Sequence, residues 1–392
     1  MDHHLTEEQR TIRDLARTIA QEKVKPVRAK YDEEGTFPWD IVRELAKVDL
    51  FRVFIPVEYD GLCESGHGVT NMCLVTEELS KACAGIALAF AGTALGTFPI
   101  LLHGSEEQKR KYLPQIASGE KLAAFGLTEP QAGSDASAQR TTAKKVGDEY
   151  VLNGTKVFIT NGGEADLYTT VALTDPSKGA RGASCFILEK GTPGFEFGKR
   201  EHKMGIRASV TSELLFNDAR VPKANLLARE GMGFLVAMKT FDISRPGVAA
   251  QALGIAEGAM EEALRYAHTR HQFEQSIMNF QGLQWMLADM ATDIEGARAL
   301  IYSLAARIDS GDTKDIAHLS AMTKVMASDV AMRVTTNAVQ ILGGYGYMAE
   351  YPVEKMMRDA KITQIYEGTN QIQRNVIGSW LVKEAARLAA TH

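Results

Sequence analysis

From Leu5 to about Lys121 the apolar positions recur at helical spacing. Two helix starts are spelled out by capping boxes, Thr6-Glu7-Glu8-Gln9 and Ser105-Glu106-Glu107-Gln108, in which a hydroxyl accepts from a free amide and the glutamine three residues on reciprocates. Helices are therefore expected near 6–30, 38–49, 68–103 and 105–117, with a turn-rich break at Pro56-Val57-Glu58-Tyr59-Asp60-Gly61. Between about 122 and 230 the pattern becomes that of strands. Tyr150-Val151-Leu152 and the run from Thr155 to Ile159 flank Asn153-Gly154, which predicts a hairpin around that turn. Further strands are expected over Leu167–Leu173, Ala183–Glu189 and Ser212–Asn217, with Pro222 and Gly231-Met232-Gly233 punctuating the exit. From Phe234 the long helical period returns, through Val248, Leu253, Ala256, Met260 and Leu264, without strand signals.

Helices, then strands, then helices is the order of a segregated α+β protein, mostly α, rather than of alternating βαβ units. The expected domains are 1–121 (N-terminal helical), 122–230 (middle β) and 231–392 (C-terminal helical bundle). A chain of 392 residues suits two or three packed units. No G-x-G-x-x-G follows a strand, so a Rossmann dinucleotide domain is disfavoured. The uncharged stretch from Ala82 to Gly104 is long enough to cross a bilayer, but its Ala, Gly and Thr content and Pro99 favour a buried core helix. No membrane span is expected.

Charge narrows the partners. With 44 basic and 49 acidic residues the formal charge is −5, so no global field draws in a polyanion and nucleic acid is not an expected partner. Cys63, Cys73, Cys83 and Cys185 form no C-x-x-C pair, which fits a reducing compartment. Met1-Asp2-His3-His4 lacks the apolar run of a secretion signal, leaving the cytoplasm as the expected location. No H-E-x-x-H, G-x-S-x-G, Walker A loop or metal-ligand spacing is present, so no metal is expected.

What remains is four polar clusters near element ends. Phe125-Gly126-Leu127-Thr128-Glu129-Pro130-Gln131-Ala132-Gly133-Ser134-Asp135 offers hydroxyls, amides and glycines where the first helical region gives way to β, and read alone it is as readily a linker. Phe158-Ile159-Thr160-Asn161-Gly162 ends a strand with an aromatic face and a hydroxyl that suit a planar ring, or simply caps that strand. Gln340-Ile341-Leu342-Gly343-Gly344-Tyr345-Gly346-Tyr347 ends a helix at paired glycines, which also permit close approach to a phosphate. Ile365-Tyr366-Glu367-Gly368-Thr369-Asn370-Gln371-Ile372-Gln373-Arg374 places an acid between an aromatic and a glycine, suited to a desolvated base on a turn into a helix or to a plain helix start.

In this order and spacing the four clusters resemble the FAD-dependent acyl-CoA dehydrogenases, over essentially the whole chain. The resemblance implies an N-terminal helical domain, a middle β-barrel-like domain and a C-terminal four-helix bundle. It implies α,β-dehydrogenation of an acyl-CoA thioester to the 2-enoyl-CoA, with Glu367 as the base for the α proton and flavin N5 as hydride acceptor. The thioester oxygen would be held by the base's own amide and a ribityl hydroxyl. Some members carry the base on the helix entered at Phe241-Asp242-Ile243-Ser244-Arg245-Pro246; Ser244 there cannot serve.

The FAD contacts implied are Phe125, Leu127, Thr128, Gly133 and Ser134 along one edge and Phe158 and Thr160 beside the ring, with Thr369 and Gln371. Arg270, Gln272, Phe273, Gln340, Gly343 and Gly344 match positions that reach the pyrophosphate of a neighbouring subunit's cofactor, so a homotetramer is implied. Ser134, Asp242, Arg245, Tyr366 and Gly368 match substrate-binding positions, Asp242 and Arg245 at the pantetheine entrance. Glutaryl-specific relatives have an arginine where this chain has Ile86, so a distal acid is disfavoured. Ala87, Ala89, Ala91 and Gly92 leave room for branched or cyclic acyl groups or serve close packing. The chain departs from the family's Phe-Gly-x-Pro-Ile with Phe273-Glu274-Gln275-Ser276-Ile277, which suggests a different loop path. The basic run Lys199, Arg200, His202, Lys203 and Arg207 could meet the nucleotide phosphate but reads rather as a solvated charged face. Electrons would pass to an electron-transfer flavoprotein; the alternative is a catalytically silent flavoprotein relative that binds partners or DNA, against which the acidic balance and the intact Glu367 cluster argue.

Overall fold

The computed structural model describes residues 5–64, 66 and 68–390; Met1-Asp2-His3-His4, examined above for a targeting signal, lies outside them. The N-terminal helices are α1 (Glu7–Ile19), α2 (Arg28–Glu34), α3 (Trp39–Lys47), α4 (Val69–His103) and α5 (Glu106–Ala117). Both capping boxes close. Thr6 Oγ1 accepts from the Gln9 amide at 3.1 Å and Ser105 Oγ from the Gln108 amide at 3.2 Å, while each glutamine accepts in return. The apolar stretch lies in α4, which bends at Cys83 (φ −161°, ψ 108°), and 78% of its most apolar window is buried inside the protein.

The middle region holds β1 (Ala123–Gly126), β2 (Thr142–Val146), β3 (Glu149–Thr160), β4 (Leu167–Leu173), β5 (Ala183–Glu189), β6 (Phe195–Arg200), β7 (Thr211–Pro222) and β8 (Leu226–Leu227). They form one sheet in the order β6-β7-β3-β2-β4-β5-β8, with β1 parallel to β4. The hairpin expected at Asn153-Gly154 does not form there. Gly154 (φ 145°) lies at a break in register inside the continuous strand β3, and a Cβ at that position would come within 2.5 Å of Thr141. The chain reverses instead at Gly147-Asp148, between the paired residues Val146 and Glu149. Gly-Asp was the better turn because β3 needs its Asn-Gly pair for a bulge against β7.

The C-terminal helices are α6 (Gly233–Thr269), α7 (Gln281–Asp309), α8 (Ala317–Leu342), α9 (Val353–Thr363) and α10 (Asn370–Ala389). α6 is the central element and packs on α4, α7, α8 and α9. Strand structure is not absent here, contrary to the sequence pattern: β9 (His271–Gln272) and β10 (Gln275–Ser276) form a small ribbon. Its two-residue turn is Phe273-Glu274, both left-handed (φ 51° and 63°), which is how the loop lacking the family's Gly and Pro is drawn tight.

Helix α9 ties the three regions together. Arg358 donates to Asp32 of α2 at 2.7 Å and to the Met204 carbonyl of the β6–β7 loop at 3.0 Å, and Asp359 accepts from the Ile206 amide. The approach is close enough that a Cβ on Gly205 would lie 2.5 Å from the Arg358 backbone. This fixes the loop 201–206 beside the turn that links α9 to α10.

Candidate active site

A cavity of about 610 Å³ opens where α4, the sheet, α6 and the α9–α10 turn meet. Phe125, Leu127 and Thr128 reach it from the end of β1, and Gly133 and Ser134 from the loop beyond. Phe158 and Thr160 come from the end of β3; Tyr366, Glu367, Gly368 and Thr369 come from the α9–α10 turn. Residues separated by 240 positions in sequence are thus brought to one wall.

The loop after β1 is held from beneath by a buried cation. Lys156 Nζ donates to the Leu127 carbonyl at 3.0 Å, to Glu129 Oε1 at 2.7 Å and to Gln139 Oε1 at 3.1 Å. Burial is the largest influence on Glu129 and would raise it. Lys156, Thr141 and the Arg140 amide together outweigh it and hold the carboxyl at about 2. A second bulge, between Lys156 and Ile159, puts Phe158 in the left-handed region (φ 59°) and leaves its ring 65% exposed on the cavity wall. An exposed aromatic at positive φ between the buried residues Val157 and Ile159 is a costly arrangement that marks a functional surface.

The turn carrying Glu367 is also strained, with Glu367 at φ 52° and Gly368 at φ 92°. Donors from three helices secure its carbonyls. Arg245 Nε of α6 reaches the Glu367 carbonyl at 3.2 Å, Lys324 Nζ of α8 the Gly368 carbonyl at 2.9 Å, and Gln373 Nε2 of α10 both carbonyls at 3.1 and 2.9 Å. Thr369 caps α10 by accepting from the Ile372 amide. Among the described residues the Glu367 amide donates to no group of the chain. Burial raises the Glu367 carboxyl above its ordinary value, against the Ser244 hydroxyl, Arg245 and Lys324. That hydroxyl, at 2.6 Å from Oε2, is the only side-chain hydrogen bond to the carboxylate among the described residues, so Ser244 is a partner of the acid rather than a substitute for it. The Tyr366 hydroxyl donates to Gln251, whose own amide reaches the Ala84 carbonyl of α4.

Several expected positions lie elsewhere. Asp242 and Arg245 are outside the cavity lining and each only 6% exposed, and Arg245 donates to the Glu367 carbonyl. Gln371 is exposed on the first turn of α10 and does not reach the cavity. Ile86 is fully buried off the cavity; α4 presents Leu88, Ala91, Gly92 and Leu95 there, while Ala87 and Ala89 pack inward. Gly92 is small because Thr160 and Asn161 abut it: an added Cβ would meet them at 2.9 and 3.0 Å. His202 and Lys203, read as a solvated face, line the cavity, and Lys203 is tied to the Ser209 carbonyl at 2.6 Å. Arg270, Gln272, Gly343 and Gly344 line a separate hollow of about 420 Å³ that shares no residue with the first; Gln340 and Phe273 are outside it, the latter 87% exposed.

Sequence reasoning missed Gln251, Thr211 and Lys324. For Lys324 a signal existed: Ser320, Lys324 and Ser328 fall four apart in a helix and all three are buried, a polar stripe on an inward face.

The chain matches the family models of the acyl-CoA dehydrogenase N-terminal domain over residues 6–120, the middle domain over 124–219 and the C-terminal domain over 231–382. It belongs to the acyl-CoA dehydrogenase family. It is 50% identical over 379 residues to the short-chain specific acyl-CoA dehydrogenase of Clostridium acetobutylicum, covering 96% of this chain and 98% of that one. The butyryl-CoA dehydrogenase of Megasphaera elsdenii superposes with a TM-score of 0.94 at 48% identity, covering 97% of this chain and 100% of that one. A chain from the structure of the electron transferring flavoprotein of Acidaminococcus fermentans superposes equally well, TM-score 0.94, at 51% identity over 97% and 99%. The protein is accordingly an oxidoreductase acting on acyl-CoA, with the three-part architecture of its family.

The family depends on FAD, and the donor set here suits it. Among the described residues the hydroxyls of Thr128, Ser134, Thr160 and Thr211 line the cavity without a hydrogen bond inside the chain, beside the exposed ring of Phe158. Free hydroxyls along a wall with one aromatic face match a flat heterocycle with polar edges. A Cβ on Gly133 would meet nothing within 4 Å, so the loop there stays open on its cavity side.

Proposed function

We propose that this enzyme converts a short, straight-chain acyl-CoA to its 2-enoyl-CoA, with Glu367 as the base that takes the α proton. The observation that carries this reading is the Glu367 carboxylate, half-buried, on the cavity wall and bound by one hydroxyl. Its Oε2 is engaged by Ser244, which leaves Oε1 to receive the proton. The unpartnered Glu367 amide supplies a hydrogen-bond donor next to the base, where the thioester oxygen accumulates charge as the α proton leaves. Burial raises the carboxyl and so brings its basicity closer to working pH. Bound FAD, held by Phe125, Leu127, Thr128, Gly133, Ser134, Phe158, Thr160 and Thr369, would supply the acceptor for the β hydride.

Met72, Leu88, Leu95 and Val248 give the cavity an apolar lining suited to an unsubstituted alkyl chain. The relatives named as short-chain specific and as butyryl-CoA dehydrogenase support a short one. Similarity to the chain from the electron transferring flavoprotein structure supports such a protein as electron acceptor. The separate hollow at Arg270, Gly343 and Gly344 supports a homotetramer in which neighbours complete each other's cofactor sites. We place the enzyme in the cytoplasm.

The test is anaerobic titration of the purified yellow protein with straight, branched, alicyclic and aryl acyl-CoA esters. Butyryl-CoA is expected to bleach the flavin most completely. Bleaching by none of the panel would overturn the reading.

A further inference from the structure

Lys324 stands out as a fully buried ammonium with no ion pair to a carboxylate among the described residues. It donates to the Gly368 carbonyl at 2.9 Å and to Asn370 Oδ1 at 3.0 Å, and Asn370 is in turn fixed by Ser328 and Asp329. A lone buried cation is costly, and an apolar side chain of similar length would remove that cost. Its placement explains why it is retained. It grips the second of two left-handed residues, immediately after the acid, on a turn that otherwise has to hold itself against strain.

We propose that Lys324 is a positioning residue for the reaction: its ammonium pins the Glu367-Gly368 turn to α8 and adds to Arg245 a second nearby positive charge that favours the ionised Glu367 carboxylate in a half-buried site. This deepens the assignment of Glu367 as base and rests on it. Because Lys324 binds the carbonyl and not the carboxylate, its charge acts on Glu367 without blocking the oxygen that receives the proton. Lys324 shares this role with Arg245, whose influence on the acid is the larger of the two. On α6, Arg245 also faces Glu367 but is partly offset by Asp242 at 4.0 Å. On α8, Asp329 is paired with Arg374 of α10, and on α9 Asp359 is paired with Lys355. Tyr366 is held un-ionised by burial. Burial and Arg245 bring Lys324 itself down to about 7, so its charge is partly lost at neutral pH and fully present below it, where the carboxylate most needs it.

The experiment uses the intact holoenzyme and a 3-thia acyl-CoA, in which sulfur replaces the β methylene. Such a compound can lose its α proton but has no β hydride to give, so the long-wavelength absorbance of the bound anion reports proton removal without turnover. In the wild type this signal falls as pH drops through the base's titration. In Lys324→Met and Lys324→Gln the midpoint is expected to move to higher pH by at least about half a unit, and in Lys324→Arg to stay near the wild type. Gln separates charge from hydrogen bonding, since its amide can still donate to Gly368, and it gives the answer if Met prevents folding. Midpoints for Met and Gln that coincide with the wild type would overturn the proposal. An anion signal that survives in Glu367→Gln would instead overturn the assignment of the base.

Discussion

Two glutamates, one buried and one half-buried, each accompanied by a buried lysine, are held in opposite ways in the two halves of the chain that meet at the cavity. In the β region Lys156 touches the carboxylate of Glu129 at 2.7 Å, backbone amides fill the remaining acceptor sites, and the acid is held at about 2. In the helical region Lys324 touches a neighbouring carbonyl, the carboxylate of Glu367 keeps one oxygen free, and burial raises the acid. The residue types are the same. What differs is whether the ammonium is spent on the carboxylate itself, and this decides between a fixed structural ion pair and a group able to take up a proton.

The comparison breaks first, and most visibly, at Glu129. Changing Glu129→Gln leaves the Lys156 cation buried without its carboxylate and is expected to lower stability by about 3–5 kcal/mol at neutral pH, whereas Glu367→Gln should change it by no more than about 1 kcal/mol. Denaturant unfolding measures both; similar losses would erase the distinction. Because the folded Glu129 is depressed from its ordinary value of 4.5, the stability it brings is fully present above that value and is lost as pH falls toward about 2. The deficit of Glu129→Gln against the wild type should shrink over that same window.

A smaller effect sharpens the other side. Ser244→Ala removes a donor that lowers Glu367, so the base should titrate higher and the acid limb of kcat/KM should move up by about one pH unit or less, with little change above the limb. A limb that moves down, or a uniform loss at all pH values, would mean that Ser244 acts in some way other than on the ionisation of the acid.

How much of this was legible in sequence follows from the range of the forces involved. The capping boxes, β4 and β5 could be read because local hydrogen bonding and short-range apolar pattern determine them. β1 could not, since Ala123-Ala124-Phe125-Gly126 is only four residues long and mostly Ala and Gly, whereas the equally buried β4 runs for seven with β-branched and aromatic side chains. The Asn153-Gly154 turn misled because local propensity for a turn was overridden by pairing of β3 with β7 over its full length. At the site, the residues that line the cavity from loop ends were visible as clusters. Those that hold the clusters in place were not, because Lys156, Lys324 and Gln251 act from the middle of regular elements and find their partners only in three dimensions. Arg245 was seen, but its hold on the Glu367 carbonyl was not, since sequence carries no information on which way a buried guanidinium turns.

The central claim, that Glu367 is the base, is tested most directly by anaerobic stopped-flow reduction of the Glu367→Gln variant with butyryl-CoA. The variant should purify yellow with its flavin bound, and its reduction should slow by about 10²–10⁴-fold relative to the wild type. Reduction at the wild-type rate by a protein lacking that carboxylate would contradict the account.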